Sequence, residues 1–235
     1  IVYSGATNGW IPTLDKTVAD VPEIIVSNDE GIFGFGDTGS LVGMTNLISN
    51  AGVVASDVSA VGTARSNLAA TEYGGDKGIF GFGTTGSVVT LTNLVSNTGV
   101  VASDGAGAGT ARRNIAACRY GGDKGIFGFG NDGSLTNVTN LVSNAGVVAS
   151  DQAATTGSAR EGLKATEYGT DTGIFGYGII SGSNVSMTNL VSNAGVVSTD
   201  VTGVGTARRN LAACGYGDDK GIFGLVILGV GIFGE

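Results

Sequence analysis

The stretch Asp76-Lys77-Gly78-Ile79-Phe80-Gly81-Phe82-Gly83 decides the fold, because near copies of it recur along the whole chain. The copies begin at Gly31, Gly78, Gly125, Gly173 and Gly221. Their spacing of 47 or 48 residues lies in the range that marks a repeat architecture, in which each unit packs against its neighbours. The sequence therefore predicts a single domain of five similar units over residues 1–235.

Each unit carries the signals of four short strands separated by turns rich in Gly, Asn, Ser and Asp. In the second repeat we expect these strands at 63–73, 78–83, 88–95 and 100–103. No stretch of ten residues shows the 3.6-residue period of an amphipathic helix. The pattern predicts an all-β fold, a five-bladed β-propeller of four-stranded antiparallel blades. A parallel β-helix with long coils is the alternative.

The residues outside the repeats predict how the ring closes. Thirty residues precede the first Gly-Ile-Phe-Gly copy, which is more than one first strand needs. We expect residues 20–26 to be that first strand and residues 1–13 to supply the outer strand or strands of the last blade. Pairing the N-terminal strand with the C-terminal blade would remove free sheet edges.

Composition narrows the classes of partner. The chain has 43 Gly, two Pro and 42% hydrophobic residues, so it is too apolar to be disordered. Its net charge of −8, with 12 basic residues and no His, is unfavourable for binding nucleic acid or an anionic membrane surface. The longest apolar run, 225–233, is half the length of a membrane span and is expected to be a strand.

The absence of His from the sequence removes the commonest general base and metal ligand. We therefore expect a protein that is not an enzyme and that uses no cofactor or metal ion. Paired carboxylates that cleave a glycan are the enzymatic alternative. Cys118 and Cys214 occupy the same slot two repeats apart, too far for a disulfide in a ring, and are expected to be small buried thiols.

Three polar positions recur from repeat to repeat. An Arg opens the first strand, where it either ties neighbouring blades together or binds an anion or a sugar. An Asp ends the fourth strand and either caps a turn or ligates Ca²⁺. A Tyr precedes the Gly-rich turn and either packs in the core or stacks on a sugar ring. These residues are Arg65, Arg112, Arg160 and Arg208; Asp57, Asp104, Asp151 and Asp200; and Tyr73, Tyr120, Tyr168 and Tyr216.

The loops between the second and third strands differ among repeats, which favours them as the binding surface. They lie at 37–40, 84–87, 131–134 and 179–184, and the loops 105–109 and 152–158 are expected on the same face. The candidate binding side chains are Thr84, Asn131, Asp132 and Asn184.

The Arg that opens the first strand, the small residues after it and the apolar strand ending in Gly (79–83) resemble kelch-type propeller repeats. Tyr216-Gly217-Asp218-Asp219-Lys220 and Met187-Thr188-Asn189-Leu190-Val191-Ser192-Asn193 are similar to repeats in predicted proteins of marine bacteriophages. In size, five blades of about 47 residues also resemble the tachylectin type of sugar-binding propeller.

The bacteriophage resemblance implies a virion or tail-associated protein that contacts a host surface glycan or a neighbouring virion protein. It places the protein in the virion, with secretion or the cell surface as the alternative location, and allows a homo-oligomer. A lectin-like propeller outside a virion is the alternative function.

Overall fold

The computed structural model describes residues 2–3, 10–11, 30–152 and 157–224. Within these ranges the chain forms 17 β-strands and no helix, which confirms the predicted all-β class. Every sheet is antiparallel and contains two or three strands.

The strands follow the repeats in order. Strands β1 (Val2–Tyr3) and β2 (Trp10–Ile11) precede the first repeat, which contains β3 (Gly31–Asp37) and β4 (Leu41–Ile48). The second repeat contains β5 (Ala69–Tyr73), β6 (Lys77–Gly81) and β7 (Thr92–Val95). The third contains β8 (Ala116–Tyr120), β9 (Lys124–Gly128) and β10 (Thr139–Val142). The fourth contains β11 (Lys164–Tyr168), β12 (Thr172–Gly176), the short hairpin β13 (Ile179–Ile180) and β14 (Ser183–Asn184), and β15 (Thr188–Val191). The fifth contains β16 (Ala212–Tyr216) and β17 (Lys220–Gly224).

The segment predicted as a fourth strand makes only isolated bridges to the third strand. In the second repeat Val101 bridges Val95, and Gly105 bridges Thr92. Between these bridges, the side-chain amide of Asn93 donates a hydrogen bond of 3.0 Å to the carbonyl of Ala102. Because a side chain binds a carbonyl that a regular ladder would use, the sheets are three-stranded with a bridged edge segment rather than four-stranded.

The second strand also ends earlier than predicted, at Gly81, because Phe82 adopts a φ of 63°. Few residues other than Gly occupy this left-handed region, so a tertiary contact must hold the aromatic residue there. The ring of Phe82 lies 4.5 Å from the guanidinium carbon of Arg112 in the following repeat, and the N–H of Gly83 donates a hydrogen bond of 3.0 Å to the carbonyl of Arg112. The equivalent aromatic residues have the same conformation in three other repeats: Phe35, Phe129 and Tyr177.

Neighbouring repeats pack face to face through their first and second strands. Strand β5 lies against β8 and β9, β8 against β11 and β12, and β11 against β16 and β17. At each junction a Phe of the following repeat covers a Gly of the preceding one: Phe127 Cζ lies 2.6 Å from the position that a Cβ on Gly81 would occupy. The core therefore lies between the sheets, and the Gly of this slot has no room for a side chain. The other pairs are Phe80 on Gly34, Phe175 on Gly128 and Phe223 on Gly176.

The predicted ring closure is not found among the described residues. Strands β1 and β2 pair with each other, and the fifth repeat shows the two-stranded sheet β16–β17. The predicted strands at 20–26 and 225–233 and most of 1–13 lie outside the described residues. A closed ring of five blades therefore stays a prediction.

Candidate functional site

The recurring Arg of the first strand lies at the centre of a buried hydrogen-bond network. In the third repeat Arg112 is fully buried and donates from Nε to the carbonyl of Phe129 at 2.9 Å. Its Nη1 donates to the carbonyl of Thr110 at 2.9 Å, and its Nη2 donates to Oδ1 of Asn140. The guanidinium carbon also lies 4.5 Å from the ring centre of Phe82 in the preceding repeat. One side chain thus joins strands of its own repeat and packs on its neighbour.

The Asn and the recurring Asp complete this network. Nδ2 of Asn140 donates to Oδ1 of Asp151 at 2.9 Å, and Asp151 also accepts from the N–H and hydroxyl of Thr110. Partial burial raises the pKa of the Asp151 carboxyl, but the hydrogen bonds from Thr110 and Asn140 and the charge of Arg112 outweigh it, so the net pKa is lowered. Burial lowers the pKa of Arg112 to about 10, and Asp151 opposes that shift.

The second and fourth repeats contain the same complete network, whereas the first repeat contains only its Asn and Asp and the fifth repeat shows only its Arg. Its complete sets are Arg65–Asn93–Asp104, Arg112–Asn140–Asp151 and Arg160–Asn189–Asp200. In the first repeat Asn46 donates to Asp57 at 2.8 Å, and the sequence has Val18 in the Arg slot. In the fifth, the Nη atoms of Arg208 bind two carbonyls, and its buried Nε has no partner among the described residues.

These contacts favour the structural role of the recurring Arg and Asp over the ligand-binding one. Arg65, Arg112 and Arg160 have fully buried side chains, so their guanidinium groups offer no surface to an anion or a sugar. Each Asp of the three complete sets accepts hydrogen bonds from protein donors. Within residues 30–152 and 157–224, no cluster of three or more His, Cys, Asp or Glu side chains could hold a metal ion.

The recurring tyrosines become more exposed along the chain. Tyr73 and Tyr120 are buried between repeats, Tyr168 is half-buried, and Tyr216 is 54% exposed. Tyr73 and Tyr120 each pack on a Gly of the following repeat, Gly146 and Gly195, whereas among the described residues no further repeat follows Tyr216. Stacking on a sugar ring is therefore open to Tyr216 and sterically limited at the two buried positions.

The candidate residues of the variable loops lie in separate repeats and differ in exposure. Asp132 and Asn184 are exposed, Asn131 is half-buried and Thr84 is buried. Asn131 Oδ1 accepts a hydrogen bond of 2.8 Å from the N–H of Gly133, so this side chain fixes the shape of its own turn. Of the four candidate side chains in these loops, Asp132 and Asn184 are therefore the two that are exposed.

A row of charged side chains crosses three repeats and was missed by the sequence analysis. Arg119 donates from Nη1 to Glu72 at 3.2 Å and pairs through Nε with Glu167 at 2.9 Å. The three residues hold the same slot, before the recurring Tyr, on β5, β8 and β11. The alternation of acid, base and acid in this slot was the available signal.

These three side chains, with residues of β3 and β6, line a cavity of about 500 Å³ between the first and second repeats. The net pKa of the Glu72 carboxyl is raised: desolvation is the largest cause, the charge of Arg119 opposes it and the charge of Glu167 adds to it. A glycan-cleaving pair needs one protonated and one ionised carboxyl group. Here both carboxylates contact one guanidinium group, so the three side chains form an ion-pair network across three repeats.

The two cysteines differ in environment. Both are free; Cys118 is buried as predicted, and its burial raises the pKa of the thiol to about 12. Cys214 is exposed, contrary to the prediction, because no further sheet packs on β16 among the described residues.

No protein-family model matches the chain, and no curated protein matches it. In the part of the chain that the structure describes, no helix has the length and apolar character needed to cross a membrane.

Proposed function

We propose that the chain is a non-enzymatic binding or structural module of a phage virion or tail, which contacts a host surface glycan or a neighbouring virion protein. One observation carries the proposal. Polar side chains that recur in the repeats, such as Arg112, Asn140 and Asp151, are engaged in internal hydrogen bonds, whereas the loops that differ between repeats expose Asp132 and Asn184. A scaffold that repeats its core and varies its loops suits recognition better than catalysis.

The finer fold that we propose is a propeller-like arrangement of blades. The main contacts between repeats are made by their first and second strands, so neighbouring sheets approach most closely at one edge. Blades of a propeller are related in this way around a central axis. The charged row at Glu72, Arg119 and Glu167 would then face that axis.

The variable loops suit polar ligands that accept and donate hydrogen bonds. Asp132 offers a carboxylate acceptor, and Asn184 offers both a donor and an acceptor. Sugar hydroxyl groups and the polar rim of a protein surface both match such groups. The loops carry no basic cluster that would favour a phosphate-rich partner.

A glycan array and a virion pull-down test the proposal together. We expect the double variant Asp132→Ala/Asn184→Ala to lose most of the wild-type signal in one of the two assays. Arg209→Ala, which removes an equally exposed side chain outside these loops, is the matched control and should retain it. Glycan binding without association with particles would favour the lectin-like alternative. Absence of signal in both assays, or equal loss in the control, would contradict the proposal.

A further inference from the structure

Two sheets each leave open a face that is covered in the other repeats. We call the exposed side of β3, with Gly31 and Phe33, the leading face. We call the exposed side of β16 and β17, with Cys214, Tyr216, Ile222 and Gly224, the trailing face. Between successive repeats, a trailing side is always packed on the leading side that follows it.

The Phe–Gly contact of the internal junctions is incomplete on both faces. The leading face carries a Phe that covers no Gly of another repeat, and the trailing face carries a Gly that no described Phe covers. Phe33 is 62% exposed, whereas its equivalents Phe80 and Phe127 are 4% and 0% exposed. A Cβ on Gly176 would lie 2.9 Å from the ring of Phe223, but a Cβ on Gly224 would meet no atom of the described residues within 4 Å. The unfilled space on one face therefore corresponds to the uncovered ring on the other.

A second contact, present at three of the four internal junctions, is also divided between the two faces. Sγ of Cys118 lies 2.6 Å from the Cβ position of Gly173 in the next repeat, and a Thr166 methyl group covers Gly221 in the same way. Cys214 holds the slot of Cys118 and is exposed. Gly31 holds the slot of Gly173, and the atoms near its Cβ position belong to Ile48 of its own sheet.

A third contact recurs inside the chain. At four junctions an Arg of the following repeat lies over an aromatic ring of the preceding one, as Arg208 does over Tyr177 at 3.9 Å. In the sequence, the corresponding slots before the first repeat and after β17 hold Val18 and Leu225, so the proposed contact does not depend on this pair.

We propose that the leading face of one copy binds the trailing face of a second copy, head to tail, with Phe33 over Gly224 and Cys214 over Gly31. A second copy fits because both faces are open in the same molecule and because the junction repeats an interface already present inside the chain. The two faces differ, so the contact is heterologous and propagates to a closed ring or an open array.

Two variants block opposite sides of this junction. Phe33→Ala removes the ring from the leading face, and Gly224→Val adds a side chain to the trailing face at a position whose Cβ meets no described atom within 4 Å. In sedimentation velocity under reducing conditions, we expect wild type to form larger species as concentration rises and each variant to remain monomeric. A mixture of the two variants should form a 1:1 dimer and nothing larger, because only one intact pair of faces is present. Val147→Ala, at a similarly exposed apolar residue of the third repeat, should associate like wild type.

The Cys214 thiol gives an independent readout. Its labelling rate should fall with protein concentration in wild type and stay constant in Phe33→Ala, while the buried Cys118 stays unlabelled throughout. Two results would overturn the proposal: a wild type that is monomeric at every concentration, or a mixture that fails to dimerise while wild type associates. If Cys214 were protected in a monomer, the two faces would meet within one chain instead.

Discussion

The guanidinium group of Arg112 stacks on the ring of Phe82, which belongs to the preceding repeat, while its Nη2 binds Asn140 of its own repeat. The position of each aromatic ring is therefore coupled to the hydrogen bonds of the next sheet. A buried stacking contact of this kind contributes up to about 2 kcal/mol, and hydrogen bonds to a charged group contribute about 1.5–3 kcal/mol each. The repeats are thus joined by polar as well as apolar contacts.

Replacing Arg112 with Lys should lower the free energy of unfolding by about 3 kcal/mol. Lysine keeps the charge but cannot reach the carbonyls of Thr110 and Phe129 and the amide of Asn140 together, so buried polar groups lose their partners. Urea unfolding followed by circular dichroism measures the change. The exposed Arg209→Lys should stay within about 0.5 kcal/mol of wild type. Similar losses in both variants would show that the network around Arg112 is not what stabilises the sheet.

Asn140→Leu should be similarly destabilising, by about 2–4 kcal/mol, although leucine is larger and more apolar. The substitution removes the amide oxygen that accepts a hydrogen bond from Arg112. It also removes the amide nitrogen that donates to the carbonyl of Ala149 and to the carboxylate of Asp151. Asn144→Ala is the matched control, because its single hydrogen bond to Asp123 is exposed; it should cost less than about 1 kcal/mol. A stabilised Asn140→Leu variant would contradict the assigned role.

The all-β class and the limits of most strands could be predicted because they follow from local patterns, namely β-branched residues, Gly-rich turns and a fixed period. The early end of β6 could not, because the positive φ of Phe82 goes with contacts to Arg112 of the following repeat. The fourth segment failed as a strand for a similar reason: the Asn93 side chain binds a carbonyl of its ladder.

The candidate site was predictable only in part. The repeated Arg and Asp could be recognised in the sequence. Repetition alone does not distinguish a buried structural network from a ring of ligand-binding residues, because either would recur in every repeat. Asn140 was missed because an Asn within a strand pattern usually indicates an edge or a turn. The pairing of Arg119 with Glu72 and Glu167 was missed because it joins three strands that are distant in sequence and meet only through the packing of sheets.

Acid should destabilise the fold through the recurring aspartates. Hydrogen bonds and the nearby arginines outweigh partial burial and lower the pKa values of Asp104, Asp151 and Asp200 in the folded chain. The unfolded chain therefore binds more protons as the pH falls below about 4, the ordinary Asp value, and stability is lost from there down to the lowered pKa values. As the pH is lowered from neutral to 2, the melting temperature should first stay constant and then fall. Asp151→Asn should show a shallower fall, and a melting temperature that rises in acid would contradict the assignment.

A single methyl group should have opposite effects in two copies of the same glycine slot. In Gly128→Ala the new Cβ would lie 2.7 Å from Cζ of Phe175 and 3.0 Å from a methyl group of Thr139, which requires the neighbouring sheet to move. Overpacking of this kind costs about 1–3 kcal/mol. In Gly224→Ala the same methyl group meets no atom of the described residues within 4 Å, and the lower backbone entropy of the unfolded chain should leave stability unchanged or higher by about 0.5 kcal/mol. The melting temperatures of the two variants are compared at low protein concentration, where copies do not associate. Equal destabilisation of both variants would mean that the Phe–Gly contact does not set the spacing of the sheets.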